Sequence, residues 1–239
     1  MLTSVKGFQR LVLVVCLLSV AGCMYQGRLK RGIFPRSTPA GRIDASVLVL
    51  SDKIIPTQIS VSDPQSASLY GFTLEVADGV AVAVADALAT LFTRVDAGSQ
   101  ALADQYDFTA EVKLLFEMTR TNCAGELQDL AVVGTRQDGL CTQLTLTLRS
   151  VGDERPLETL SSRRWTVFAQ PGAASVLRWI NEHTLYLFSP VAIPLYTQLQ
   201  GNQLRRNVEQ QIKEILQEQM KDLSVRGQGK ITPTDVQTR

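Results

Sequence analysis

The cysteines have the clearest chemistry in this chain, and Cys23 has the most informative surroundings. It closes the segment Val20-Ala21-Gly22-Cys23, which follows Lys6, Arg10 and the apolar run from Leu11 to Ala21. A basic start, a short apolar stretch and small residues before a cleavage point are the parts of a secretory signal. A membrane-spanning helix is the first alternative, but it needs about 20 apolar residues, and this run supplies roughly half of them. We therefore expect an export signal.

The same segment resembles the bacterial lipobox, in which the cysteine receives lipid and becomes the new N-terminus. The resemblance implies a signal peptide at residues 1–22 and an anchor of acyl chains, palmitate among them, on Cys23. Each buried CH₂ adds about 0.8 kcal/mol of membrane affinity, so several chains hold firmly where one does not. Met24, rather than Asp, follows the cysteine, which under the sorting rule of enteric lipoproteins implies the outer membrane and a periplasm-facing chain. An ordinary cleaved signal with a chance cysteine is the alternative.

Two further cysteines predict a disulfide. Cys16 leaves with the signal and Cys23 carries lipid, so Cys123 and Cys141 remain. An exported compartment is oxidising, and two remaining thiols there are typical of one bridge. The closed loop of about 19 residues gives on the order of 3 kcal/mol of stabilisation by chain-entropy reasoning. A metal site is the alternative, but two cysteines and one histidine fall short of a closed zinc shell.

No catalytic motif is present: there is no nucleophile elbow, no phosphate-binding glycine loop and no zinc-protease helix. His183 is the only histidine, and a solvent-facing helical position is its expected role rather than that of a lone general base. Asp52, Asp63 and Asp78 fall near predicted loops or caps, where short carboxylates accept backbone hydrogen bonds. We therefore expect no enzyme activity, no cofactor and no metal.

Two groups of residues are candidates for ligand or partner contact. Arg155, Arg163, Arg164 and Trp165 could bind a phosphate or a glycan, because arginine offers fork-shaped donors. A solvated strand face is the alternative for this group. A second, aromatic group in a proline-interrupted region could line an interface or a lipid groove, or simply pack on the sheet. Its main members are Tyr186, Phe188 and Tyr196.

The distribution of charged residues and prolines divides the chain into segments. Losing Lys6 and Arg10 with the signal changes the formal charge from +1 to −1, which gives no electrostatic case for a nucleic-acid partner. Residues 23–41 contain four basic residues and two prolines and predict a lipidated tether, whose charges either meet anionic headgroups or are simply solvated. Residues 42–223 predict a single folded domain, and residues 224–239 a polar, flexible tail.

Hydrophobic periodicity predicts the elements of that domain. Period-two alternation predicts strands at residues 42–50, 66–76, 108–119, 142–150 and 160–169. Residues 51–65 favour a loop with a short extended piece at 58–61, and residues 93–95 add a short strand. Residues 80–92 and 173–187 favour helix, with Asp78 as the expected N-cap of the first. A final amphipathic helix has its apolar stripe at Leu204, Val208, Ile212, Ile215, Leu216, Met220 and Leu223. Packing on its own domain is favoured for this stripe over docking on a partner.

The predicted fold is α+β, with a mostly antiparallel sheet of about four to five strands, helices packed on one face, and the C-terminal amphipathic helix. Together the lipobox, the basic tether, the early strand, the Ala-rich helix ending at Leu91-Phe92 and the strand from Tyr106 to Thr119 resemble small periplasmic auxiliary lipoproteins of Gram-negative bacteria. The lipopolysaccharide-assembly lipoprotein and the transporter-auxiliary lipoproteins are examples. The likeness spans residues 42–223 as an order of elements.

That resemblance implies a non-enzymatic assembly factor, adaptor or scaffold on an envelope complex for transport, secretion or surface-structure assembly. Its partners would be the membrane, through the lipid, and a protein of that complex. A lipid- or glycan-binding module is the first alternative, with the small-molecule ligand unidentified. A hydrolase that depends on His183 is the second.

Overall fold

The computed structural model describes residues 24–34, 42–62, 71–119, 123, 139–153, 155–167 and 189–230. Their strands are β1 (Met24–Arg28), β2 (Ile43–Leu50), β3 (Gln58–Ser62), β4 (Gly71–Glu75), β5 (Phe92–Gly98), β6 (Phe108–Thr119), β7 (Gly139–Ser150) and β8 (Pro156–Val167). Their helices are α1 (Ala77–Leu88), α2 (Ser189–Lys230) and two 3₁₀ helices, Ser51–Lys53 and Gln100–Gln105. The chain divides into two compact units. Of the described residues, 24–27, 59–62, 71–74 and 189–206 belong to the first, and the others to the second.

The second unit is built on a five-stranded sheet with the strand order β5-β2-β6-β7-β8. β6, β7 and β8 pair antiparallel, whereas β2 pairs parallel with both β5 and β6. The predicted α+β class and C-terminal helix are confirmed, but the prediction of a mostly antiparallel sheet is wrong, because the sheet is mixed. Alternation of side chains does not encode strand direction. β2 and β5 run the same way because helix α1 and its flanking segments supply the long crossover that a parallel pair requires.

One face of β6, β7 and β8 forms part of the core of the second unit. This covered face consists of Ala110, Val112, Leu114, Leu144, Leu146, Leu148 and Leu160, all of them buried. The antiparallel register places Val112 and Leu160 on either side of Leu146. Each fully buried leucine contributes about 1.5–3 kcal/mol by leaving water. The covered face is therefore a large apolar source of stability in this sheet.

β2 is buried on both faces, as the apolar residues on both sides of this strand predict. Val47, Leu48, Val49 and Leu50 are all nearly inaccessible to solvent. Val47 and Val49 lie beside Phe108 and Ala110 of β6. A strand with neighbours on both faces reads as a continuous apolar run rather than a strict alternation.

Helix α1 begins at Ala77, three residues before the predicted start at residue 80. Its N-cap is Val76, and Asp78 lies in the first turn, so the prediction of Asp78 as the N-cap is wrong. A carboxylate in the first turn still interacts favourably with the amino-terminal end of the helix dipole. The small side chains Ala81, Ala83 and Ala87 are buried, which lets the helix lie close to its neighbours.

Helix α2 is longer than the predicted helix at both ends. It begins at Ser189, continues through Pro194 and ends at Lys230. The predicted apolar stripe, from Leu204 to Leu223, is buried within the chain itself. Gln211 and Gln219, which the sequence places on the polar face, are buried as well. They are tolerated because each amide donates to a backbone carbonyl of the sheet: Gln211 to Leu140 at 2.9 Å and Gln219 to Leu144 at 2.8 Å.

The first unit contains a three-stranded sheet in the order β1-β4-β3. Its buried apolar side chains include Tyr25 of β1, Ile59 of β3, and Phe72 and Leu74 of β4. Tyr25 and Phe72 are tilted against one another with 6.5 Å between ring centroids. β1 lies inside the segment predicted to be a tether, so this part of the chain is paired in a sheet rather than free.

Candidate functional site

The amino-terminal end of the described chain is the first candidate site, because it adjoins the predicted lipid attachment at Cys23. β1 starts at the next residue, Met24. Tyr25 is only 4 % exposed, and its hydroxyl donates to Asn202 Oδ1 at 3.3 Å. A Cβ atom on Gly201 would overlap the Tyr25 ring, so the helix carries glycine where the aromatic ring approaches its backbone.

The chain stays attached to the fold beyond β1. The backbone N–H of Leu29 donates to the carbonyl of Glu75 at 3.0 Å, and the N–H of Lys30 donates to Glu209 Oε1 at 3.0 Å. Leu29 and Phe34 are buried, and each contributes about 1.5–3 kcal/mol of burial free energy. These attachments were not predicted, because residues 23–41 contain four basic residues and two prolines and only a few apolar residues.

A charged cleft of about 470 Å³ lies in the second unit beside this segment. Arg28 forms an ion pair with Glu75 at 2.5 Å, and Arg31 approaches Asp78 at 3.9 Å. The rest of the lining comes from Leu29, Thr57, Gln58, Ala77 and Gly79. The four charges balance one another and are largely exposed, so each pair contributes little to stability and can exchange partners easily.

The cysteine pair is confirmed: Cys123 and Cys141 form a disulfide, with 5.4 Å between their Cα atoms. Cys141 lies on β7 between Glu117 of β6 and Trp165 of β8. The carbonyl of Cys123 accepts a hydrogen bond from Arg163 Nη1 at 3.3 Å. The bridge therefore fixes residue 123 against the two strands β7 and β8.

The predicted arginine–tryptophan group does not converge on one point. The register places Arg164 on the face of β8 that helix α2 covers, where Nη2 donates to Glu218 at 2.6 Å. Arg163 and Trp165 lie on the opposite face, since successive strand residues alternate. Arg155 precedes the strand and donates its backbone N–H to Asp153. These residues are adjacent in the sequence, which suggested one site. Their side chains lie on opposite faces of the strand, because successive strand residues alternate.

Trp165 has a structural role in β8. A Cβ on Gly139, the first residue of β7, would overlap the indole ring, so the ring lies directly over this glycine. Its Nε1 is buried and has no hydrogen-bond partner among the described residues. The site role predicted for Trp165 remains a prediction.

In the aromatic group, Tyr186 and Phe188 lie outside the described residues, as do His183 and Asp63. Tyr196 is buried, and its hydroxyl accepts a hydrogen bond from Gln200 Nε2 at 3.4 Å. Leu195 beside it is 49 % exposed. Of the three main members of the group, the structure therefore describes Tyr196, which is packed inside the chain.

Two polar clusters in the second unit were not predicted. The Asp107 carboxylate accepts hydrogen bonds from the backbone N–H and the hydroxyl of Ser46, both at 2.7 Å, and these bonds lower the pKa of Asp107 below its usual value. The second cluster joins Arg94, Asp96 and Tyr106: both Arg94 Nε and the Tyr106 hydroxyl donate to Asp96 Oδ2. Partial burial, more than the bond to Asp96, raises the pKa of Tyr106.

Both clusters connect β-structure rather than form a reactive site. Ser46 lies on β2 and Asp107 directly precedes β6, so their bonds hold the start of the parallel pairing. Within the described residues, no group of three or more His, Cys, Asp or Glu side chains is placed to hold a metal ion. No helix of the described chain is long and apolar enough to cross a bilayer.

No family model matches the chain, and no curated protein matches it closely enough to count as a relative. Among solved structures, a match is found to protein XCC0632 from Xanthomonas campestris, whose crystal structure carries the family description DUF330. The TM-score is 0.38 and the sequence identity 15%, over 79% of this chain and 98% of that chain. At this level the similarity carries no argument, so the functional case depends on the residues of the chain itself.

Proposed function

We propose that this chain is a lipoprotein anchored in the outer membrane, facing the periplasm, and acting as a non-enzymatic adaptor or scaffold for an envelope complex. The observation that carries the proposal is the lipobox-like segment Val20-Ala21-Gly22-Cys23 behind a basic and apolar leader. The disulfide between Cys123 and Cys141 supports export, because such bridges persist in oxidising compartments.

The apolar stripe of helix α2 limits which surfaces a partner could contact. The stripe of helix α2 is buried within the chain, so partner contact would use other surfaces. The near-neutral charge of the mature chain favours neither nucleic acid nor a strongly charged substrate. With one histidine and no catalytic motif in the sequence, holding a partner is the role that requires the fewest unobserved groups.

The anchor is tested by replacing Cys23 with Ser, which should release the protein from membranes and remove the acyl mass from the mature N-terminus. Cys16→Ser is the matched control, because it removes a thiol from the leader and should leave both unchanged. A Cys23→Ser protein that still sediments with membranes would contradict the anchor. Met24→Asp tests the sorting: it should move the protein to the inner membrane, while Met24→Ser should not.

The adaptor role is tested by crosslinking whole envelopes and recovering the full-length protein. A defined membrane or secretion protein should be recovered with the wild-type chain and in much lower yield with Cys23→Ser, because release from the membrane lowers the local concentration. Recovery of nothing but abundant porins, repeated at several crosslinker lengths, would argue against an adaptor.

A lipid- or phosphate-binding role is the second candidate, and the charged cleft favours it. Its volume falls in the range of about 300–1,000 Å³ typical of small-molecule sites, and Arg28 and Arg31 could exchange their carboxylate partners for a phosphate. Native mass spectrometry with glycerophosphoethanolamine should show binding that Arg28→Gln and Arg31→Gln together abolish. No binding at millimolar ligand would exclude this candidate.

A further inference from the structure

We propose that the bilayer carrying the lipid anchor lies directly against the start of strand β1, with no flexible spacer between the lipid and the fold. The inference rests on the proposed lipidation of Cys23, and it deepens that proposal by naming a membrane surface as the partner of the first unit. The usual expectation for such a chain, and the one its sequence suggests over residues 23–41, is a free tether.

Covalent geometry sets the reach of the anchor. Consecutive Cα atoms are about 3.8 Å apart across a trans peptide, and the residue after Cys23 is Met24, the first residue of β1. A lipid on the Cys23 side chain is therefore one peptide bond from a strand of the sheet. A tether of 18 residues with little internal structure would instead separate the lipid from the fold by a mean span of about 23 Å.

The start of β1 is fixed by side-chain packing as well as by sheet pairing. Tyr25, two residues from the lipid, is buried against Gly201 and Phe72 and donates its hydroxyl to Asn202. Peeling β1 off the sheet would expose this ring and break the pairing with β4. The strand thus resists conversion into a tether.

The charges near the anchor indicate what kind of contact the membrane makes. Arg28 and Arg31 are paired with Glu75 and Asp78, and a third carboxylate, that of Glu209, lies against the backbone of Lys30. Headgroup attraction of about 1 kcal/mol per unmatched basic residue is small beside the contribution of the acyl chains. Membrane contact here should therefore be set by the anchor and be insensitive to salt.

The functional consequence concerns the partner. An adaptor on a long flexible tether can reach a complex at some distance from the bilayer, whereas an adaptor held directly at the bilayer cannot. The partner of this chain must therefore come within reach of a fold that is held at the membrane.

The test uses the full lipidated chain in phospholipid vesicles. Gln26 is exposed on β1, and Gln26→Cys adds the one reactive thiol, because Cys23 carries lipid and Cys123 and Cys141 are bridged. A fluorophore at this position should be quenched strongly by headgroup-labelled quencher lipids. Inserting 12 Gly/Ser residues between Met24 and Tyr25, with a mean span of about 20 Å, should reduce that quenching at least threefold, at both low and high salt.

The matched control carries the same insertion between Gly152 and Asp153, in the turn between β7 and β8, and should keep the full quenching. Weak quenching in the uninserted protein, or equal quenching with and without the β1 insertion, overturns the proposal. Flotation with the vesicles and the mass of the mature N-terminus are recorded for every sample. A protein that floats but is weakly quenched loses only the spacer-free arrangement, whereas one that lacks acyl mass and fails to float loses the anchor itself.

Discussion

The two faces of the antiparallel strands β6, β7 and β8 contrast sharply. The covered face carries buried leucines and valines and lies under helix α2. The opposite, open face carries Lys113, Leu115, Gln143, Thr145, Ser161 and Arg163, none of which is buried. Both faces alternate along the same three strands, yet they differ in what they do. The covered face supplies buried apolar packing. On the open face, hydrogen bonds between hydroxyl and amide side chains link β7 to β8, and the disulfide lies near the end of this face.

The difference between the two faces predicts which substitutions should change the free energy of unfolding. Thr145 and Leu146 are adjacent on β7, but Leu146 is fully buried while the Thr145 hydroxyl pairs with Ser161 in solvent. Burial and packing, rather than position along the strand, should therefore rank the effects of substitutions in this sheet.

The largest effect is expected on the covered face. Leu146→Ala should lower the free energy of unfolding by about 2–5 kcal/mol, because it removes a buried side chain and leaves a cavity between β6, β8 and helix α2. Thr145→Ala is the matched control on the open face and should change it by no more than about 0.5 kcal/mol. Urea unfolding of the mature chain measures both, and similar effects would contradict the contrast between faces.

The disulfide should rank second. Replacing Cys123 and Cys141 together by Ser should cost about 3 kcal/mol, because the bridge closes a loop over a sequence separation of 18 residues in the unfolded chain. Reduction of the wild-type protein by dithiothreitol should lower its stability by a similar amount and leave the double variant unchanged. A reductant effect on the double variant would show that the loss has another origin.

The buried glutamines of α2 sharpen the comparison within the covered face. Gln211 accepts from the Thr142 hydroxyl at 2.5 Å and donates to Leu140, whereas Gln219 Oε1 is buried without a partner among the described residues. Gln211→Met should cost about 1–3 kcal/mol, since it leaves a buried hydroxyl without its acceptor. Gln219→Met should cost less, because it also removes an unpartnered oxygen.

A double-mutant cycle separates these contributions. Thr142→Val added to Gln211→Met should recover part of the loss, because both partners of the bond are then apolar. The same Thr142→Val added to Gln219→Met should not. Equal costs for the two glutamine variants would mean that the carbonyl contacts, not the Thr142 bond, set their effect.

The smallest effect is expected at the edge of the covered region, where Asp107 bonds Ser46. The folded state lowers the pKa of this carboxyl, so its stabilisation is present at neutral pH and is lost as pH falls through the usual value near 3.8 and below. Asp107→Asn should cost about 0.5 kcal/mol at pH 7, a low figure because the group is exposed and screened. The cost should shrink as pH falls below about 3.8, and a cost that does not change with pH would contradict a stabilising role for the ionised carboxylate.

Much of the second unit could be predicted from the sequence. The strand at residues 108–119 has the predicted bounds, and β7 and β8 lie close to theirs, because each alternates apolar and polar residues over many positions. The buried stripe of α2 and the cysteine pairing were also predicted correctly. β1 was missed, since five residues with one buried tyrosine give little periodic signal beside several basic residues.

The candidate site was less predictable. Arg163, Arg164 and Trp165 are adjacent in sequence, but the pleat sends Arg164 to one face of the sheet and its neighbours to the other. The bond between Ser46 and Asp107 spans 61 residues, and the bonds from Gln211 to the sheet span about 70. A single sequence carries no local pattern for such pairs.

Features that depend on local pattern were predicted correctly from the sequence. These are the pairing of Cys123 with Cys141, the long alternating strands and the amphipathic C-terminal helix, while the export leader and the lipidation of Cys23 stay predictions. Only the tertiary structure decided the parallel pairing of β2, the burial of Gln211 and Gln219, and the attachment of β1 directly after Cys23. The physical reason is that strand direction, partner and burial depend on contacts between residues distant in the chain, which periodicity along the chain does not encode.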